Sequence, residues 1–362
     1  MKILFVVPAL HGGGAEYVAR TWMRWLVENG HEVSCVLTAA KPQEGLVPDA
    51  VHITSLSTIS GQVGKVERLR QIYLTSRPDV VMALQAHPNL LAIAAALRIG
   101  RPQRPPVVVS ERNLVSLGLA SASSAHKRKI WLAKRLYSKA DHVVAISHPV
   151  AAELVSGFNV AGDRCTVVPN PATAKVAAQG RLYTESSRPG LQIVLPCRLV
   201  TQKQPHLALE ASRVLTDRGI PNHILAFGDG PLRDELVAMA HEHDISFTPM
   251  GWVEDWFDHF DRSAVVLLPS LREGFGNVLV EAAAAGYPSV AISGALGVAD
   301  AIVPGLTGEL AATSRPEDIA DALERASLLE VKGVEGWLER FSYESSSRDL
   351  ERVLMRVVSE ER

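Results

Sequence analysis

"VVLLPSLREGFGNVLVEAAAAGYPSVAI", residues 265–292, contains a strand, a turn, a helix and a second strand. The run at 265–268 is short, apolar and uninterrupted, which suits a strand buried on both faces. Pro269 and Ser270 end it, and Gly274-Phe275-Gly276-Asn277 turns the chain. NVLVEAAAAG then reads as a helix stopped by Gly286 and Pro288, before a β-branched run at 289–292. Two glutamates, Glu273 in the turn and Glu281 in the helix, stand eight positions apart.

The same alternation extends both ways. Apolar runs at 3–7, 32–37, 80–84 and 107–110 alternate with helical patterns, two of which start near Ala15 and Asn89. It restarts with runs at 191–195, 223–227 and 245–247. Strands and helices in this order build parallel sheets covered on both faces. A chain of 362 residues exceeds one core and predicts two domains of about 150–200 residues. The expected division is an N-terminal α/β domain at 1–170, a linker of proline, small and polar residues at 171–190, and a second α/β domain at 191–340. The tail at 341–362 reads as one amphipathic helix with Leu350, Val353, Leu354 and Val357 on one face, free to pack on the first domain.

Hydrophobic residues make up 47% of the chain and charged residues 21%, the balance of a globular protein. A net charge of −2 gives no global field for nucleic acid, which is excluded as a partner. Three scattered cysteines without CxxC spacing argue against a disulfide framework or zinc site and fit a reducing, cytoplasmic compartment. The N-terminal MKILFVVPALHGGG reads as a first strand rather than a cleaved leader. The longest near-apolar stretch, VVMALQAHPNLLAIAAAL, is broken by Gln85, His87, Pro88 and Asn89 and does not span a membrane.

In an open parallel sheet ligands sit beyond the carboxyl ends of the strands. HGGGAE, residues 11–16, follows the first strand and opens a helix, so its glycines admit close approach and the helix start favours an anion. Its spacing is not GxGxxG and the second strand ends without an acidic residue, which argues against a dehydrogenase; a ligand-free glycine turn is the alternative. Arg198 and Lys203 follow the first strand of the second domain and suit a diphosphate, unless they are two solvated loop cations. Amides at Gly276, Asn277 and Val278 make an anion site at a helix start. Carboxylates beside such a site suit sugar hydroxyls, so Glu273 and Glu281 are candidates for a transferred sugar and a ribose. Singly, Glu273 also fits a helix-dipole partner and Glu281 a surface helix residue.

The E-x7-E element with its GFG turn, together with CRLVTQKQ, GDGPLRDEL, VVPNP and GGAE, resembles the retaining GT4-type glycosyltransferases, "glycosyl transferases group 1", in order along nearly the whole chain. The resemblance implies the GT-B fold, two Rossmann-like domains facing a central cleft, with the donor on the C-terminal domain and the acceptor on the N-terminal one. Gly13 and Gly14 would approach the phosphates, Arg198 and Lys203 would bind the diphosphate, and Glu281 the ribose. Glu273 and the Phe275-Gly276-Asn277 backbone would face the donor sugar, with Val278 and Leu279 continuing the donor wall. Gly251 and Val253 in MGWVEDW match the position that meets the base. Catalysis would rest on Glu273, Arg198 and Lys203, with retention by front-face attack.

A UDP-sugar is favoured over a GDP-sugar, and the rival activity on this architecture is a nucleotide-sugar 2-epimerase, against which the E-x7-E element argues. No D-x-D pair is present to bridge a metal to diphosphate, and the cations with the helix start supply positive field, so neither metal nor other cofactor is expected. Where many relatives carry a histidine the chain reads SERN, residues 110–113, which puts Glu111, Arg112 and Asn113 on the acceptor side with His87. Similar members act on bacterial surface polysaccharides or lipid-linked oligosaccharides, so a glycan or lipid-linked acceptor is expected. The basic stretch at 126–139, with Leu132 and Leu136 on one stripe, suits an anionic membrane surface at the inner face of the plasma membrane; the alternative is an ordinary helix before the strand at 142–147.

Overall fold

Runs of β-branched and leucine residues become strands in the computed structural model because their backbones pair in parallel and both faces of most of them are covered. The structure describes residues 1–43, 45–116, 123–176, 190–253, 255–259, 261 and 263–360. The strands are β1 (Lys2–Val7), β2 (Glu32–Leu37), β3 (His52–Ser55), β4 (Val80–Leu84), β5 (Val107–Glu111), β6 (His142–Ala145), β7 (Cys165–Val167), β8 (Leu191–Leu195), β9 (Asn222–Phe227), β10 (Phe247–Gly251), β11 (Ala264–Leu268), β12 (Ser289–Ile292) and β13 (Gly308–Ala311). The helices are α1 (Gly14–Glu28), α2 (Gln62–Ser76), α3 (Ala86–Ala96), α4 (Ser124–Leu136), α5 (His148–Gly157), α6 (His206–Asp217), α7 (Arg233–Glu242), α8 (Asn277–Ala284), α9 (Pro316–Ser327), α10 (Glu335–Leu338) and α11 (Tyr343–Glu360).

The chain divides into two compact units, Met1–Pro171 with Tyr343–Arg362, and Ala172–Ser342. The first holds a seven-stranded sheet in the order β3-β2-β1-β4-β5-β6-β7; the second holds a six-stranded sheet in the order β10-β9-β8-β11-β12-β13. Strand pairs in both are parallel. In each sheet the order reverses direction beside its first strand, between β1 and β4 and between β8 and β11. Such a switch point leaves a crevice at the carboxyl ends, because the flanking connections depart to opposite sides.

Unit 1 packs Val18, Trp22, Met23 and Leu26 of α1 against the sheet, together with Leu350, Val353, Leu354 and Val357 of α11. Trp22 Nε1 donates to Ser346 Oγ at 3.1 Å and Trp25 Nε1 to Glu351 at 3.2 Å, so polar tips as well as apolar area join α1 to α11. Unit 2 has its own core from β8, β9, β11, α6 and α9. Of the stretch expected as a linker, residues 177–189 lie outside the described residues, while Ala172–Lys175 forms a 3-10 turn.

One local expectation is corrected. The run expected at 245–247 is a strand only from Phe247, because Asp244 takes a left-handed φ of 50° and the Ile245 N–H caps α7 by donating to Ala240 O at 2.8 Å. In α4 the buried residues are Ile130 and Ala133, followed by Tyr137, while Leu132 and Leu136 are half-buried. The apolar side of α4 thus serves unit 1's own core, leaving Trp131 51% exposed with the Arg135 guanidinium 4.1 Å above its ring. Among the described residues no helix is long and apolar enough to cross a membrane.

Candidate active site

The loop after β8 is held by close backbone packing. Leu199 N–H donates to Asp229 O at 3.0 Å and Leu232 N–H to Leu199 O at 3.1 Å. A Cβ on Gly228 would lie 2.0 Å from the Cys197 carbonyl oxygen, and one on Gly230 2.3 Å from that of Leu199, so the GDG of GDGPLRDEL is there to let two loops touch. This leaves Arg198 exposed, its carbonyl accepting from Val200 N–H at 2.9 Å and its guanidinium without hydrogen bond or ion pair among the described residues.

A second contact joins this loop to the one after β11. Gln202 O accepts from Leu271 N–H at 2.9 Å, and Gln202 Nε2 donates to Arg272 O at 3.2 Å. Glu273 N–H donates to Ala295 O at 3.1 Å, which fixes the other side of the turn. Lys203 Nζ donates to Glu273 Oε1 in an ion pair whose side chains are 17% and 11% exposed. The switch point of unit 2 therefore carries an exposed guanidinium, unpaired among the described residues, and a shielded ammonium–carboxylate pair.

Gly276 takes φ 104° ahead of α8, a turn that favours glycine. The first-turn residues Asn277 and Val278 are half-buried at the helix start, where amides face outward. Two expected donor residues have buried side chains. The Leu279 N–H donates to Gly276 O at 3.0 Å and its side chain is buried, so it closes the turn from within. Phe275 buries its ring 5.4 Å from Phe341, leaving only its backbone at the loop.

Glu281 is 6% exposed, which removes the surface-residue alternative. Its Oε2 accepts from Trp256 Nε1 at 3.1 Å. Burial raises the pKa of this carboxyl, opposed by the charge of Lys175 and the indole hydrogen bond. Gly251 has φ 76° and bridges Gly228; Trp252 is 75% exposed and Val253 packs partly against the cluster that holds Trp256.

In unit 1 Gly12, Gly13 and Gly14 are exposed after β1, and Glu16 is held by Gln85 Nε2 at 2.8 Å across the β1/β4 switch point. His87, half-buried, meets Gln62 Oε1 at 2.8 Å; burial, then Lys65 and Lys129, lower its pKa. Glu111 and Arg112 are both buried, because the turn after β5 uses them internally. Glu111 Oε1 accepts from the N–H groups of Arg112 and Asn113 at 3.0 and 3.3 Å, and Oε2 from Tyr137 OH at 2.7 Å. Burial raises its pKa despite those donors. The Arg112 guanidinium lies 5.0 Å from the Trp22 ring and donates to Ser110 Oγ at 3.1 Å; burial pushes it down to about 9. Asn113 alone of the three is exposed.

Sequence reasoning missed Gln202, Trp256 and Tyr137, which hold the named residues. Each is an ordinary loop or helix residue in one dimension, and only its partner reveals it.

Residues 12–174 match the family described as Glycosyltransferase Family 4, and residues 190–327 match Glycosyl transferases group 1. The chain is 27% identical over 296 residues to a GalNAc-alpha-(1->4)-GalNAc-alpha-(1->3)-diNAcBac-PP-undecaprenol alpha-1,4-N-acetyl-D-galactosaminyltransferase of Campylobacter jejuni, covering 78% of this chain and 76% of that one. It is 31% identical over 193 residues to an exopolysaccharide phosphotransferase of Streptomyces coelicolor, covering 51% of this chain but only 19% of that relative's length. Among solved structures, the apo lipopolysaccharide outer core galactosyltransferase WaaB superposes with TM-score 0.77 at 20% identity, over 98% of this chain and 99% of that one. HepE of Anabaena, solved in complex with UDP-glucose, superposes with TM-score 0.67 at 18% identity, over 100% and 98%. With both halves matched in order and the fold shared end to end, the chain belongs to the GT4-type, group 1 glycosyltransferases of the GT-B fold.

Proposed function

We propose that this glycosyltransferase moves a sugar, with retention of configuration and without a metal, from a nucleotide-diphosphate sugar to a hydroxyl of a glycan or lipid-linked acceptor. The observation that carries the donor assignment is the meeting of Arg198, the Lys203–Glu273 pair and the start of α8 at one switch point. Arg198 and Lys203 take the diphosphate and stabilise the charge that grows on it as the glycosidic bond breaks. Glu273 accepts hydroxyls of the donor sugar, Asn277 and Val278 offer amides, Glu281 holds the ribose, and the Gly251–Val253 backbone meets the base. The support for UDP is the UDP-glucose held by HepE, and for a lipid-linked acceptor the undecaprenol-linked glycan in the Campylobacter relative's name. Unit 1 takes the acceptor, with Asn113 and His87 as its exposed and half-exposed groups.

The test is nucleotide release from a panel of UDP-, GDP- and ADP-sugars, with and without undecaprenol-linked oligosaccharide, and the anomeric configuration of any product by NMR. Acceptor-dependent release with retained configuration is expected. Turnover of donor without acceptor would replace transfer by the 2-epimerase reaction, and inversion would defeat the front-face mechanism.

Unit 1 also meets an anionic membrane through the outer face of α4, where Trp131 lies exposed among Lys127, Arg128, Lys134 and Arg135. On this reading the enzyme works peripherally at the inner face of the plasma membrane. Flotation with phosphatidylglycerol vesicles should show binding that is lost at high salt and in Trp131→Ala; equal flotation with neutral vesicles would contradict it.

A further inference from the structure

We propose that Trp256 is a positioning residue for ribose recognition: its indole N–H fixes the Glu281 carboxylate so that the remaining lone pairs meet the ribose hydroxyls. This rests on the donor-site assignment above and adds to it a residue outside the motif.

Trp256 begins a 3-10 turn, Trp256–Asp258, a few residues after the Gly251–Val253 segment assigned to the base. Its ring is immobilised in a cluster with Phe227, Phe257, Ala282, Ala285 and Tyr287, and it packs edge-on to Phe257 at 5.7 Å. A ring so enclosed holds its one donor in a fixed direction, and that donor is 3.1 Å from Glu281 Oε2. Indole nitrogen donates and never accepts, so the contact also specifies Glu281 as the acceptor.

An ionised carboxylate offers about four acceptor sites, of which the indole takes one. Burial disfavours the charge, while Lys175 and the indole favour it. A vicinal diol supplies two O–H donors at the spacing of one carboxylate, and in a nearly water-free position those bonds are stronger than at the surface. Without the indole the carboxylate can rotate, and the diol loses its fixed partner while the diphosphate keeps its cations. A purely structural Trp256–Glu281 contact would instead support α8 as a whole and affect every ligand alike.

The experiment is calorimetric titration of wild type, Trp256→Phe and Glu281→Gln with UDP and its 2′-deoxy and 3′-deoxy analogues, the adenosine and guanosine series run alongside. Wild type should prefer the ribonucleotide about tenfold or more, the scale of a hydrogen bond to a charged acceptor. Trp256→Phe keeps the ring and removes the donor; it should cut that preference to about threefold or less while deoxynucleotide affinity holds. Glu281→Gln should do the same with the indole intact. A wild-type ratio retained in either variant, or a parallel loss for ribo- and deoxynucleotides in Trp256→Phe, would overturn the proposal. Equal binding of ribo- and deoxynucleotides by wild type would also overturn it. No binding of any nucleoside diphosphate to wild type would instead defeat the donor-site assignment beneath it.

Discussion

At the carboxyl end of β8 in unit 2, Arg198 stands exposed and Lys203 meets Glu273; at the carboxyl end of β5 in unit 1, Glu111 and Arg112 are folded inward. Both places lie where an open parallel sheet offers a ligand site. The difference comes from what surrounds each turn. In unit 2, glycines at 228 and 230 bring backbone against backbone, so main-chain bonds hold the loop after β8 and leave the Arg198 side chain for solvent or ligand. In unit 1 the turn after β5 has no such glycines, and its own side chains satisfy it: the Glu111 carboxylate caps two N–H groups and Tyr137. A charged residue after a strand is therefore a candidate ligand group only once its loop can be held without it.

If that contrast is right, substitutions on the two sides should part sharply. Glu273→Ala should lower turnover by about 10²–10³, the scale of losing a group that stabilises the transition state, while nucleotide affinity changes much less. Equal losses in both would place Glu273 in ground-state binding alone. Next in size, Gly228→Ala forces a Cβ onto the Cys197 carbonyl and should cost about 1–3 kcal/mol of unit 2 stability, with weakened diphosphate binding through a displaced Arg198. Full donor affinity in that variant would show that the loop contact does not place the guanidinium.

On the unit 1 side, Tyr137→Phe removes a donor from buried Glu111 and should cost about 1–2 kcal/mol in urea unfolding without changing nucleotide affinity. A donor-binding defect there would blur the contrast. The smallest effect concerns His142 in β6, whose pKa is pushed down to about 4 by burial and then by Arg356 of α11. A depressed histidine pKa means the unfolded chain binds more protons, so its contribution to stability is complete near neutral pH and is lost as pH falls from about 6.5 toward 4. His142→Asn should flatten acid destabilisation in that window by on the order of 1 kcal/mol, after discounting for solvent screening.

Much of this arrangement is legible in one dimension, for particular reasons. The runs at 32–37, 80–84, 191–195 and 289–292 coincide with β2, β4, β8 and β12 because parallel strands covered largely on both faces are mostly apolar, Glu32, Ser34, Gln192 and Ser289 being the exceptions. Short strands at the sheet margins, β3, β7 and β13, are only partly buried and carry His52, Thr166 and Glu309, so no apolar run announces them. Ile245 is apolar yet belongs to a helix cap, which depends on the left-handed turn at Asp244. Arg198, Lys203 and Glu273 are readable because strand-end cations and carboxylates are few and the strand order brings them together. The inward turn of Glu111 and the indole bond to Glu281 join residues 26 and 25 positions apart, and packing rather than spacing decides them.

The central claim is that the switch point of unit 2 is the donor site. Thermal-shift titration of wild type and Arg198→Ala/Lys203→Ala with UDP, GDP and ADP tests it most directly. Wild type should be stabilised by one of the three, about 2.7 kcal/mol at a hundredfold excess over Kd, with the double variant folded and unresponsive. Stabilisation of the double variant equal to that of wild type would contradict the account.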